Sequence, residues 1–238
     1  MIPVLSLRSS RPAAVPVSTG SRAATRRSPL RFAVGCAVLL AAHTAIVLAS
    51  LGEVLTVGAN VALAIAVLAW ARRTGLTRDE LGLTPSAVVR STQLGLVLAV
   101  LIATTVGALA PFGVFASQAP PGLDGASFAF RFLVGIPVGT ALAEELVFRG
   151  VVLAGWRRVG PTNRAIVLTS TVFGLWHVAA EWHRVAGPNV LPAVLATAAA
   201  SAFILCPLRL WTRSLAAPVI VHAATNMSVL AAVYLTAT

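Results

Sequence analysis

Six side chains in otherwise apolar stretches carry groups that can do chemistry. They are Glu144, Glu145 and Arg149 in one stretch, His177 in the next, and His222 and Asn226 in the last. A carboxylate with an imidazole at hand can hold a water molecule and take its proton. A second imidazole and an amide can donate hydrogen bonds to the oxyanion of a tetrahedral intermediate. Hydrolysis of an amide by water needs those parts and no nucleophilic side chain. The same residues leave a second chemistry open, in which Glu144, His177 and His222 ligate Zn²⁺ with water at the remaining position.

Spacing adds to residue type. Glu145 and Arg149 are i and i+4, so on a helix they share a face and can pair, while Glu144 points about 100° away and is free to face a cavity. Phe173 and His177 are also i and i+4, as are His222 and Asn226. A charged or ionisable group deep in a span costs about 2.5–3.5 kcal/mol or more to insert, so a functional role is the default reading for these. Three absences narrow the chemistry. The two aspartates, Asp79 and Asp124, fall in loops, which excludes an aspartyl dyad in the membrane; there is no GxSxG; and there is no HExxH pair.

The elements that must position these groups follow from composition. The chain has 238 residues, 58% of them hydrophobic and 11% charged, with mean hydropathy +0.89. A soluble domain carries about 25% charged residues. Lipid is therefore the expected solvent, and disorder, collagen and a disulfide-stapled module are excluded. Cys36 and Cys206 sit in or beside apolar runs and imply no disulfide framework. The predicted fold class is all-α, a polytopic membrane helical bundle of about seven transmembrane helices: Phe32–Leu51, Val54–Ala71, Thr92–Val114, Phe128–Leu153, Arg164–Ala180, Val190–Pro207 and Ser214–Leu235. Residues 1–31 read as a basic, disordered cytoplasmic tail, and 32–238 as one integral membrane domain with its chemistry-bearing core at 128–235.

All 18 basic residues are arginine, and they set the orientation. Six lie in the tail; with those after spans two, four and six, fifteen of the 18 fall on one side of a seven-span chain. Arginine-rich segments stay cytoplasmic, so the N-terminus is expected inside and the C-terminus outside, in a membrane read as a bacterial plasma membrane. The basic tail is read as an anchor, not a nucleic-acid arm, because no nucleic-acid module follows it. Counted inward from the cytoplasmic loops, Glu144, His177, His222 and Asn226 all lie about 14–20 Å deep, so three helices bring polar groups to one slab. His43 is read as a lone packed or snorkelling residue, and Glu181 and His183 as interfacial.

Glu144-Glu145-x-x-x-Arg149, Phe173-x-x-x-His177 and His222-x-x-x-Asn226, in that order on successive helices, resemble the motifs of the CPBP family (CAAX protease and bacteriocin-processing, or ABI), which includes the type 2 CAAX prenyl proteases. The run Arg213 to His222 and the loop Asp79-Glu80-Leu-Gly-Leu resemble family segments as well. The catalytic resemblance covers about residues 128–235, and the first three spans resemble the family only in general layout. It implies an intramembrane endopeptidase with a water-filled cavity open to the cytoplasm, acting on a peptide or protein substrate that arrives from the membrane or cytoplasmic side. Glu144 and His177 would activate the water, His222 and Asn226 would stabilise the oxyanion, Glu145 and Arg149 would support the site, and Phe173 would line it. It leaves zinc open; three separate helices and a poor ligand in Asn226 favour a site with no cofactor.

Two rival classes predict different behaviour. A transporter or proton relay would show flux sensitive to Glu144→Gln with no peptide cleaved, though no inverted repeat is present. An immunity-type partner would tolerate loss of Glu144, His177 and His222. Pro137, seven residues before Glu144, is expected to kink its helix and widen a lateral opening, or else Gly135-x-x-x-Gly139 serves close helix contact.

Overall fold

A computed structural model describes residues 29–49, 51–115, 123–185 and 190–237, with backbone only at 29, 31, 179–185 and 237. The basic tail read from residues 1–31 lies almost wholly outside these residues. Apart from one isolated antiparallel bridge, Leu83 to Ser214, the regular structure of the described residues is helical. The long helices are α1 (Pro29–Leu48), α2 (Glu53–Arg73), α4 (Pro85–Leu109), α5 (Gly125–Val159), α6 (Thr162–Val185), α7 (Val190–Thr212) and α8 (Ala216–Ala237). A single-turn helix, α3 (Arg78–Leu81), precedes α4.

Five of them are long and apolar enough to cross a membrane: α2, α4 with its terminal turn, α5, α7 and α8. This supports five of the seven expected spans and leaves two unconfirmed. The apolar part of α1 is the shorter Phe32–Leu48. Helix α6 is long but carries Asn163, Arg164, His177, Glu181, His183 and Arg184, and these polar residues dilute its apolar run. Helix ends also differ from the hydropathy edges. Helix α5 runs to Val159 and α7 to Thr212, because backbone hydrogen bonding continues into polar turns after the apolar run ends. The outward faces carry Val38, Ile65, Val100, Leu133 and Phe203, all well exposed, as expected of side chains solvated by lipid.

Local signals set the helix ends. Thr77 accepts from Glu80 N while the Glu80 side chain accepts from Thr77 N, a reciprocal cap on α3. Gly82 closes α3 with φ +77°, a conformation that favours glycine. Asp124 caps α5 by accepting from Ser127 N, and that bond holds its carboxyl below the usual carboxylate range. Glu53 in the first turn of α2 and Arg72 and Arg73 in its last complement the helix dipole.

Small residues let helices approach closely. A Cβ on Gly95 of α4 would lie 3.0 Å from Ala217 Cα of α8, and one on Gly174 of α6 would lie 3.0 Å from Ala198 Cβ of the Ala-rich α7. Gly139 of α5 faces Val57 of α2 so tightly that a Cβ would come within 2.8 Å, whereas Gly135 meets only its own helix. Close contact therefore accounts for one glycine of the Gly135–Gly139 pair. Pro137 lies between them where α5 widens to π-type bonding over Arg131–Leu142.

A polar clamp joins the ends of α3, α5, α7 and α8. Arg158 of α5 donates to both oxygens of Glu80, at 2.6 and 2.5 Å. Buried Arg209 of α7 donates to the carbonyls of Asp79 and Glu80. Leu215 N donates to Gly82 O, which ties the start of α8 to the same loop. Glu80 consequently has its pKa lowered from an ordinary 4.5 to about 2, chiefly by the Arg158 hydrogen bonds.

Candidate active site

Helix α5 brings the two carboxylates into the core. Glu144 and Glu145 are both buried, Glu145 and Arg149 completely. Arg149 Nη1 donates to Glu145 Oε1 at 2.9 Å, the i, i+4 pairing expected from the sequence. The guanidinium also lies over the Phe173 ring, 4.1 Å from its centroid. The Glu145 oxygen has a further partner that the sequence did not show: Nδ1 of His222, on α8, lies 2.9 Å from the same Oε1.

Glu144 faces the other way, as the 100° step between neighbouring helical residues requires. Its Oε1 accepts from the indole Nε1–H of Trp176 at 3.0 Å. Its Oε2 lies 3.9 Å from Nε2 of His177 and 3.9 Å from Nε2 of His222. Among the described residues that oxygen is buried and has no hydrogen-bond partner.

The imidazoles are oriented from behind. His177 Nδ1 lies 2.9 Å from the carbonyl of Phe173, one turn earlier on α6. A carbonyl only accepts, so His177 carries its proton on Nδ1, and in the neutral ring Nε2 presents a lone pair toward Glu144. His222 is fixed in the same sense by the Glu145 carboxylate. The Phe173 ring is edge-on to both, with centroids 4.7 Å from His177 and 6.1 Å from His222. Asn226 is half-buried on α8, one turn beyond His222.

The structure thus gathers Glu144, Glu145, Arg149, Phe173, His177 and His222 from α5, α6 and α8. Two residues join them that the sequence reading missed or set apart. Trp176 occupies an oxygen of Glu144. His43 on α1 is buried against the Trp176 indole, with ring centroids 3.5 Å apart and 10° between planes, so it is packed and not alone or snorkelling. The expected interfacial side chains Glu181 and His183 lie outside the described side chains.

Zinc can be tested against this geometry. Two Nε2 lone pairs and a carboxylate oxygen are suitable donors, and tetrahedral ligands at about 2.0–2.1 Å from zinc lie about 3.4 Å apart. The observed separations from Oε2 are 3.9 Å, and among the described residues no group of three His, Cys, Asp or Glu has a metal-holding arrangement. These separations are about half an ångström wider than bound zinc would set, and no step below passes through a metal.

Residues 126–228 match the family model described as type II CAAX prenyl endopeptidase, Rce1-like. No curated protein and no solved structure gives a significant match. The matched segment runs from the first turns of α5 to Ser228 on α8 and contains every motif residue from Glu144 to Asn226. The match makes this segment similar to the CPBP, or CAAX protease, family, a family of membrane proteases.

Proposed function

We propose that this protein is an intramembrane endopeptidase that hydrolyses a peptide bond with water activated by Glu144 and His177. The observation that carries the reading is the state of Glu144 Oε2. It is buried, has no hydrogen-bond partner among the described residues, and lies 3.9 Å from two imidazole nitrogens. That distance is too long for a direct hydrogen bond and within reach of one shared water. A polar atom buried without a partner is costly, and cavities lined by such groups hold water.

The chemistry then runs through this chain's own groups. Glu144, assisted by His177, takes a proton as the water oxygen attacks the scissile carbonyl carbon. Negative charge forms on the carbonyl oxygen, and His222 with Asn226 stabilises it. Glu145 holds His222 by Nδ1, so an imidazolium at this position would turn its second N–H toward the oxyanion. The intermediate collapses as the C–N bond breaks, and the proton held at Glu144 passes to the departing amine. Arg149 and Phe173 keep Glu145 and both rings in place.

Seven helices cross the membrane in this reading, with the N-terminus cytoplasmic and the C-terminus outside. The arginine distribution supports that topology. The substrate is a peptide or protein reaching the site from the membrane or the cytoplasm. The test is a peptide library offered to purified protein in liposomes, with Glu144→Ala, His177→Ala and His222→Ala compared with and without chelator. Cleavage lost in each variant and kept with chelator supports the proposal. Ion flux sensitive to Glu144→Gln without cleavage would favour a transporter.

A further inference from the structure

The Glu144 carboxylate has two chemically equivalent oxygens, and a general base works best when one of them is fixed toward its water. Nothing in the motif residues makes that choice. The indole of Trp176 does, by donating to Oε1 at 3.0 Å and leaving Oε2 toward the imidazoles. The indole is itself gripped. His43 stacks on one face at 3.5 Å and 10°, and Phe148 meets it edge-on at 5.1 Å and 85°. Both nitrogens of His43 are buried with no hydrogen-bond partner among the described residues, so what His43 gives the site is its ring face. Helix α1 lies outside the matched segment, yet it reaches the site through this stack.

We infer that Trp176, clamped by His43, is a positioning residue that selects Oε2 of Glu144 as the base oxygen. The inference rests on the proposed hydrolytic role of Glu144. Trp176→Phe keeps a ring for His43 and Phe148 to pack on and removes only the N–H. It is expected to fold, to keep KM within about twofold, and to lose kcat by about tenfold to a hundredfold, the size of one hydrogen bond to a charged group. A fall in kcat at constant KM marks a group that acts on the chemical step and not on substrate binding. His43→Phe, which retains a stacking face, should keep most of kcat, whereas His43→Ala should fall toward Trp176→Phe.

A second readout needs no substrate. In protein labelled with ¹⁵N at the tryptophan indoles, the Trp176 N–H resonance, assigned by its loss in Trp176→Phe, should move upfield in Glu144→Ala. Folded Trp176→Phe with wild-type kcat would overturn the inference while leaving the hydrolytic role intact, provided Glu144→Ala is inactive. An indole resonance unmoved by Glu144→Ala would overturn it too. Should the wild-type chain cleave no peptide, the proposed function falls, and the resonance alone decides whether the indole holds Glu144.

Discussion

Glu80 and Glu144 are both held by side chains from another helix, and the difference between them separates a structural carboxylate from a chemical one. At Glu80 every acceptor is filled: Arg158 takes both oxygens in a fork, and Thr77 adds its N–H and hydroxyl to Oε2. The result is a half-exposed, saturated pair that ties loop to helix. At Glu144 one oxygen is filled by a neutral indole, and the other faces two imidazoles beyond hydrogen-bond reach. Saturation gives a clamp; an unfilled acceptor aimed at two bases gives a place to hold and activate water. Glu145 lies between the two: its Oε1 takes two partners and supports Arg149 and His222, while its Oε2 is buried with no hydrogen-bond partner among the described residues.

Substitutions can break this comparison. The largest effect is expected for Glu144→Gln, which preserves shape and removes the base; turnover should fall by about 10²–10⁴ with an unchanged unfolding midpoint, checked by initial rates and thermal unfolding in detergent. Glu145→Ala should act in the opposite way. It leaves Arg149 as a buried unpaired charge, so stability should drop by about 3–5 kcal/mol, read by denaturation, and activity would be lost with the fold. Asn226→Ala removes one oxyanion donor, so kcat should fall by about a hundredfold to a thousandfold without loss of stability. Wild-type activity in that variant would remove Asn226 from the mechanism.

Glu80→Gln marks the small end of the scale. A partly exposed pair contributes about 1 kcal/mol or less. The sign of its pH dependence is fixed, because a carboxylate with a lowered folded-state pKa stabilises above its unfolded value. That contribution should fade as pH falls from 4.5 toward about 2. Unfolding midpoints of wild type and Glu80→Gln should therefore converge over that window and differ above it, while cleavage at neutral pH stays near wild type. At Pro137, the widened stretch of α5 invites a substitution to alanine, and unchanged cleavage in that variant would count against a lateral opening at this position.

Most of the candidate site was legible in the sequence, since a charged group in an apolar run is conspicuous and helical phase relates residues four apart. That logic paired Glu145 with Arg149 and left Glu144 free to face a cavity. It could not reach contacts between helices. Nothing in the spacing says that α8 brings His222 Nδ1 to Glu145, or that α1 lays His43 on Trp176. Tryptophan in an apolar helix carries no polar flag, so its N–H donor passed as core. The signal that could have found it is adjacency to His177 on a helix already marked by chemistry. Span number was less legible than span position, because α6 mixes polar side chains into its run.

The most direct measurement is mass spectrometry of the products when a cleavable peptide is incubated in liposomes with wild type or Glu144→Gln, at neutral pH and with chelator present. Wild type should yield two fragments whose masses sum to the peptide plus one water, and Glu144→Gln should yield almost none. Equal cleavage by the two proteins, or wild-type cleavage abolished by chelator, would contradict it.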